Sequence, residues 1–286
     1  MQTQPYELCV PLRQKSFCIF SSPHSGTAYS ETFKNDFQLD FLKLRSSEDA
    51  FVNELFSEVT AYGSPLISAN APRSFVDLNR DESELDPELI FGLRGKVNYK
   101  PIPSGLGVIP RVVANGRVIK SGKMSFQEAK ERLNNYYYPY HKELAKTLRT
   151  TRSVWGKVVL FDCHSMPQQA VKSLTNLGKK VPDIILGDCF GKSCDMHIFE
   201  QTEDAFIKQG FNVVRNRPFS GGFITQNYGD PKLKQHAIQI EINRSLYMNE
   251  SEIEKIANFN DFKRRISAVS YELVQLGVEQ KSIAAE

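Results

Sequence analysis

No stretch of the sequence approaches the roughly 18 consecutive apolar residues of a membrane-spanning helix. The opening "MQTQPYELCVPLRQKS" also lacks a charged-then-apolar signal pattern, so the chain reads as cytoplasmic, with no membrane partner. Cysteine is scarce and unpaired in pattern: five residues, an odd number, with no CxxC among them. That argues against a disulfide framework and against a structural zinc knuckle, leaving reduced, structural thiols. There is no Lys/Arg run, and a net charge of +3 is too mild for a nucleic-acid partner. It suits a small anionic substrate. Internal repeats and low-complexity segments are missing. "GLGVIPR" lacks the GK[ST] ending of a phosphate loop.

What is present alternates between strand and helix. "SFCIFSS", "SPLISAN", "SFVDLNR", "KVVLFDCHS", "PDIILGDCFG", "NVVRNRPF" and "HAIQIEINRSLYM" read as strands, several ending in polar residues. Ser47 to Gly63 has helical spacing, with Ser47 as N-cap and Gly63 after the end. Ser125 to Gly156 is helical from a capping box at Ser125–Glu128, with Pro139 kinking it or starting a second helix. "TEDAFIKQGF" and the stretch from Ser251 to Gly277 complete the helices. Residues 82–123, rich in Gly and Pro, form a long excursion with short hairpins, a candidate cover for a site. The expected fold is α/β, one domain over 1–286, with a mixed, largely parallel sheet flanked by helices.

In such sheets function collects beyond the carboxyl ends of strands. Here that rule singles out His24, Asp77, Asn79, Arg80, His164, Asp188 and Glu241. His24 and His164 each follow an apolar run, where a neutral imidazole is a good zinc ligand. Glu241, inward on "IQIEINR", is costly to bury without a cation, an arginine or a metal-bound water beside it, and could serve as proton acceptor. Asn79 and Arg80 in "VDLNRDE" offer a directional donor and a bidentate carboxylate clamp. Each feature also has a plain reading: a histidine satisfied in a turn, an Asn-Arg surface pair or structural salt bridge, or a glutamate buried against Arg244 or Arg215. Spacing leaves both open. His141 reads as structural or as a support behind the site, and His197 and His236, at or near loops, as non-ligands. Gly221-Gly222 is either a hairpin turn or a loop that lets backbone approach a ligand. Cys163 neighbours His164 but points to the opposite face, which argues against a thiol nucleophile.

At these residues the chain resembles a known family. "PHSGTAY", "EDAFVNELF", "VDLNRD", "GLGVIPRV", "YYPYH", "DCHSMP", "DIILGDCFGKSC", "RNRPFSGGFITQNYGDP" and "AIQIEINRSLYM", in order from about residue 15 to residue 275, resemble the N-formylglutamate amidohydrolases. That family looks related to the zinc carboxypeptidase and aspartoacylase group. The resemblance implies a zinc-carboxypeptidase-like fold and a zinc-dependent amidohydrolase acting in histidine catabolism. It implies Zn2+ held by His24, His164 and, at the acidic position of "SEDAFV", Asp49. Glu241 would be the base, and Arg80 would act with Asn79, Arg73, Arg111, Arg244 and Gly222 on the substrate. Asp49 has its own plain reading as a salt-bridge or helix N-terminal charge. Cys189 in "LGDCFG" and Gln226-Asn227 in "ITQNYG" depart from the family pattern, which bears on the choice of N-acyl amino acid. Three functions follow for comparison: cleavage of N-formyl-L-glutamate, a related deacylase or carboxypeptidase-like peptidase, and a non-catalytic receptor for an acidic ligand.

Overall fold

The computed structural model describes residues 4–36, 39–93, 99–100, 102, 104–113, 116–172 and 180–278. Seven segments join one sheet: β1 (Tyr6–Cys9), β2 (Cys18–Ser22), β3 (Leu66–Ala69), β4 (Val158–Met166), β5 (Ile184–Gly187), β6 (Val213–Arg215) and β7 (Gln235–Asn243). Their order across the sheet is β1-β3-β2-β4-β7-β5-β6. β3, β2, β4 and β7 run parallel, β1 is antiparallel at one edge, and β5 and β6 run parallel to each other but antiparallel to β7. The sheet is therefore mixed and largely parallel, as expected.

The central strands β2 and β4 are buried along their whole length, which is why they read as apolar runs rather than alternating ones. Their two faces nonetheless differ. Phe20, Val159, Phe161, Ile238, Ile240 and Ile242 join the core beneath two helices, α3 (Met196–Lys208) and α5 (Phe259–Leu276). On the other face Ile19, Val158, Leu160 and Ala237 pack against α2 (Tyr138–Trp155), through Leu144 and Leu148. Further along that second face the same parity brings Ser21, Asp162, His164, Gln239 and Glu241, so the apolar layer gives way to a polar floor. Tyr140 marks the border: its ring is in the core and its hydroxyl lies 2.9 Å from Ser21 Oγ.

α2 is preceded by α1 (Phe126–Arg132) and a π-helical turn, Leu133–Tyr137. Ser125 caps α1 by accepting from Glu128 N–H at 3.0 Å, and Pro139 stands in the first turn of α2, where its missing N–H costs nothing. A shorter helix, α4 (Phe223–Tyr228), follows Gly221-Gly222.

Three expectations need correction. The helix expected over Ser47–Gly63 is broken into Val52–Leu55 and Val59–Tyr62, with Phe51 in the left-handed region at φ 66°. Ser47 caps nothing. Asp49 N–H instead donates to the His24 carbonyl at 3.0 Å, which turns this segment towards the end of β2. "SFVDLNR" is not a strand but a run of turns, tied by Asp77 N–H to the Val108 carbonyl at 2.8 Å. The C-terminal helix begins at Phe259 rather than Ser251, because Glu254–Lys255 pair with Met248–Asn249. The excursion does contain the expected hairpin, Val112–Val113 with Arg117–Val118; parts of 82–123 lie outside the described residues. Among the described residues, no helix is long and apolar enough to cross a membrane.

Phe161, fully buried 5.1 Å from the Phe20 ring, anchors the first face. Phe161→Ala is expected to cost about 3–5 kcal/mol of folding free energy, read from the urea midpoint at unchanged slope.

Candidate active site

His24 is delivered by the turn after β2. Gly26 makes that turn possible, since a Cβ there would lie 2.1 Å from the Ala71 carbonyl oxygen. His164 lies within β4 rather than after it, directly opposite Glu241 of β7, and Asp162 lies opposite Gln239. Asp49 arrives from the broken helical segment. Three atoms meet where these elements converge. Asp49 Oδ2 is 2.9 Å from His164 Nδ1 and 3.3 Å from His24 Nδ1, and the two Nδ1 atoms are 3.1 Å apart. Among the described residues, these three alone form a group able to hold a metal ion.

The outer nitrogens are committed. His24 Nε2–H donates to Asp77 Oδ1 at 2.7 Å, and His164 Nε2–H donates to Asp162 Oδ2 at 2.9 Å. A carboxylate only accepts, so each Nε2 carries a proton and each Nδ1 is the nitrogen left facing inward, where a proton held against Asp49 and a metal ion compete for it. Asp49 Oδ1 is held from outside by Arg244 Nη2 at 2.9 Å and Ser165 Oγ at 3.3 Å, which leaves Oδ2 facing the imidazoles. Two nitrogens and one oxygen, on a triangle of 2.9 to 3.3 Å, match one face of a tetrahedron with bonds of about 2 Å, whose edge is about 3.3 Å. The donor set fits zinc.

Charge favours a cation there. Burial opposes ionisation of Asp49, but hydrogen bonds and charge from His164 and His24 hold its carboxyl well below the usual range. Burial likewise opposes a charge on His164, yet Asp162 and Asp49 raise its pKa well above that of a free imidazole. Asp77, also buried, is held well below the usual carboxylate range by Arg73 and His24. Glu241 behaves differently: burial pushes it up to about 7, with Asp49 adding to the shift and His164 and Arg73 opposing it. A carboxyl poised there can take and return a proton near neutral pH.

These residues floor a cavity of about 590 Å3, walled by Arg73, Asn79, Arg80, Leu106, Pro110, Val112, Gly221, Gly222 and Gln226. The 82–123 excursion thus reaches the cavity. Arg73 spends Nε on Asp77 Oδ2 at 2.9 Å, and among the described residues no group hydrogen-bonds its terminal nitrogens. Arg80 is held more loosely, 3.9 Å from Asp77 Oδ2 and 3.5 Å from Glu84 Oε2. Asn79 Oδ1 accepts from Ile224 N–H at 2.7 Å, and its Nδ2 lies 3.2 Å from His164 Nε2.

A family model described as N-formylglutamate amidohydrolase matches residues 16–248. The chain belongs to that family. It is 29% identical over 239 residues to the N-formylglutamate deformylase of Pseudomonas putida, covering 82% of each chain. The corresponding Pseudomonas aeruginosa protein is 27% identical over 235 residues, covering 81% of this chain and 82% of its own. The crystal structure of N-formylglutamate amidohydrolase from Ralstonia eutropha JMP134 superposes with a TM-score of 0.90 at 29% identity, over 96% of this chain and 99% of that one. A gene product of Agrobacterium tumefaciens shares the fold, with a TM-score of 0.63 at 16% identity over 96% and 97% of the two chains.

Within this family frame the structure brings His24, Asp49, Arg73, Asn79, Arg80, His164, Gly222, Glu241 and Arg244 to one cavity. It does not bring Arg111, whose Nε is bound to Asp86 Oδ2 at 2.6 Å while its neighbours Pro110 and Val112 line the wall. Asp188 is also elsewhere, accepting from Asn216 Nδ2 at 2.8 Å, because β5 runs against β7 and carries its carboxyl end away. Arg244 faces the protein, donating to Asp49, to Ser165 Oγ at 3.1 Å and to the Ser46 carbonyl at 3.0 Å. Asp162 and Gln239 escaped the sequence reading, although each lies two residues before a singled-out group on its strand.

His141 is structural, as expected. Its Nε2–H donates to the Leu78 carbonyl and its Nδ1 accepts from Tyr228 Oη, both at 2.9 Å, while Tyr137 Oη donates to the Arg80 carbonyl at 2.8 Å. The backbone of the Asp77–Arg80 turn is thus pinned from α2 and the π turn. Burial lowers the His141 pKa from 6.5 to about 4. The unfolded chain therefore takes this proton first, and stability falls as pH drops through that window. Gln in its place keeps a donor and an acceptor without titrating. Between pH 7.5 and 4.5, His141→Gln is expected to lose about 2 kcal/mol less stability than the wild type, compared by urea unfolding at each pH.

Proposed function

We propose that the protein hydrolyses the N-acyl amide of a small acidic amino acid, N-formyl-L-glutamate first among them, to formate and L-glutamate. The convergence of His24 Nδ1, His164 Nδ1 and Asp49 Oδ2, each locked by a second partner, is the observation that carries this reading. Zn2+ is the proposed metal. When bound, it supplies Lewis-acid polarisation of the substrate carbonyl and a more acidic water.

The chain's own groups do the rest. Asp77 and Asp162 keep both Nδ1 atoms directed inward, and Arg244 keeps one Asp49 oxygen in line with them. Glu241 accepts a proton as water adds to the formyl carbon, then returns it to the glutamate nitrogen as the C–N bond breaks. Arg80 and Arg73 turn guanidinium groups into the cavity, suited to the substrate carboxylates and to the developing oxyanion. Asn79 adds a directional amide on the same wall. A cytoplasmic role in histidine catabolism belongs to the same proposal.

Purified without chelator, the protein is expected to carry about one zinc per chain by elemental analysis, and chelator-sensitive formate release should accompany it. N-acetyl-L-glutamate, N-formyl-L-aspartate and a glutamyl peptide should be cleaved far more slowly; preference for any of them reassigns the substrate. His24→Ala should lose zinc and turnover together. Glu241→Gln should keep zinc and lose about 10²–10⁴ in kcat; near-normal turnover with zinc bound refutes the role given to Glu241. Arg80→Ala should lower kcat/KM roughly 10- to 100-fold, the worth of a charge-assisted hydrogen bond, and an unchanged value removes Arg80 from the clamp.

A further inference from the structure

Gln239 has no part in the ligand set or the arginine wall, yet it is buried at 4% exposure on the cavity floor. It precedes Glu241 by two residues on β7, so both side chains lie on the same face. Its amide is used at both ends. Nε2–H donates to Glu241 Oε1 at 2.8 Å, and Oε1 accepts from Gly222 N–H at 2.6 Å. The orientation is forced. A flipped amide would set its NH2 against the backbone N–H of Gly222 and its oxygen against a carboxylate oxygen.

The loop end of this link is itself fixed. A Cβ at Gly222 would lie 2.4 Å from Asn79 Nδ2, so only glycine lets the loop approach that side chain. Two residues on, Ile224 N–H donates to Asn79 Oδ1 at 2.7 Å, and Gln226 Nε2–H donates to the Gly221 carbonyl at 3.0 Å. The loop is a held wall, and Gln239 joins it to Glu241. Among the described residues, Glu241 Oε2 accepts no hydrogen bond. One carboxylate oxygen is tethered and the other is left for chemistry.

We propose that Gln239 is the positioning residue of Glu241: it fixes the carboxylate rotamer through Oε1, takes its own orientation from Gly222, and leaves Oε2 as the oxygen that handles the proton. This rests on the base role proposed above for Glu241. Held geometry of this kind carries a large part of the rate in general acid–base chemistry, since small displacements of a catalytic group are costly.

Two variants separate the two ends of the amide. Gln239→Met keeps the shape and removes both bonds. Gln239→Glu keeps an acceptor for Gly222 and replaces the neutral amide donor by a second carboxyl, which ties a shared proton up between itself and Glu241. With N-formyl-L-glutamate, both should lower kcat roughly 10- to 100-fold with KM changed less than about threefold, and both should retain one zinc per chain. Exchange of the Gly222 amide hydrogen should accelerate in Gln239→Met alone. Wild-type kcat in Gln239→Glu overturns the proposal, because the amide donor to Glu241 would then be dispensable. Loss of zinc in both variants also overturns it, since the residue would then support the metal site. If the zinc-loaded wild type releases no formate, the substrate reading fails on its own. Crystal structures of the two variants then decide the positioning role: Glu241 spread over several rotamers supports it, and one unchanged rotamer overturns it.

Discussion

The arrangement depends on keeping an ionised Asp49 inside the protein at 1% exposure. A carboxylate so deep is tolerable only if every direction around it offers positive charge or a hydrogen-bond donor. Arg244 and Ser165 occupy one side, and the imidazoles of His24 and His164 the other. Meeting that demand sets much else. It breaks the Ser47–Gly63 helix so that Asp49 can reach inward, and it needs Arg244 immediately after the last residue of β7. Each imidazole in turn acquires an aspartate of its own. Four buried acidic groups, Asp49, Asp77, Asp162 and Glu241, have three arginines close by, Arg73, Arg80 and Arg244. A divalent cation suits the remaining deficit of positive charge.

The sheet resolves the conflict between this polar cluster and the apolar burial that stabilises the fold. Its first face is given to α3, α5 and the short helical turns Val52–Leu55 and Val59–Tyr62, and its second is divided along its length. The lower part is sealed by α2, and the upper part is left as floor. Cys163 illustrates the separation: next in sequence to His164, it lies in the opposite core, with its thiol pushed well up by burial. The same helix that seals the lower part also shapes the rim, because Tyr137 of the π turn and His141 of α2 reach the Arg80 and Leu78 carbonyls of the Asp77–Arg80 turn. Stability and site geometry are here properties of the same contacts.

Much of this was legible in the chain. Long apolar runs ending in His or Glu marked β2, β4 and β7, since central strands bury both faces and expose chemistry only near one end. The largely parallel order followed from strand–helix alternation. Less legible were features set by distant partners. Asp77 and Asp162 acquire meaning only when the imidazoles they orient are in place. The strand expected through "SFVDLNR" failed because its backbone bonds go to local turns, to Val108 of the excursion and to the side chains of Arg132, Tyr137 and His141, not to a sheet. Asp188 was misplaced because local patterning does not reveal that β5 reverses direction. Arg111 and Arg244 looked alike in sequence, yet one pairs with Asp86 in the wall and the other orients Asp49. Gln239 did carry a signal, the two-residue spacing to Glu241, which a strict reading of strand parity would have found.

That parity has an evolutionary consequence. Asp162 and His164 on β4 face Gln239 and Glu241 on β7 in strict alternation, with Cys163 and Ile240 between them pointing to the core. Deleting or inserting one residue in either strand upstream of these groups would exchange the faces, putting a thiol or an isoleucine on the cavity floor and sending ionisable groups into apolar packing. No single substitution repairs such a slip. The two strands can therefore change length only by even steps, while connections that hold no cavity residue are free to vary. Length differences among descendants of this fold should accumulate in such connections, and the spacing of the paired strands should stay constant.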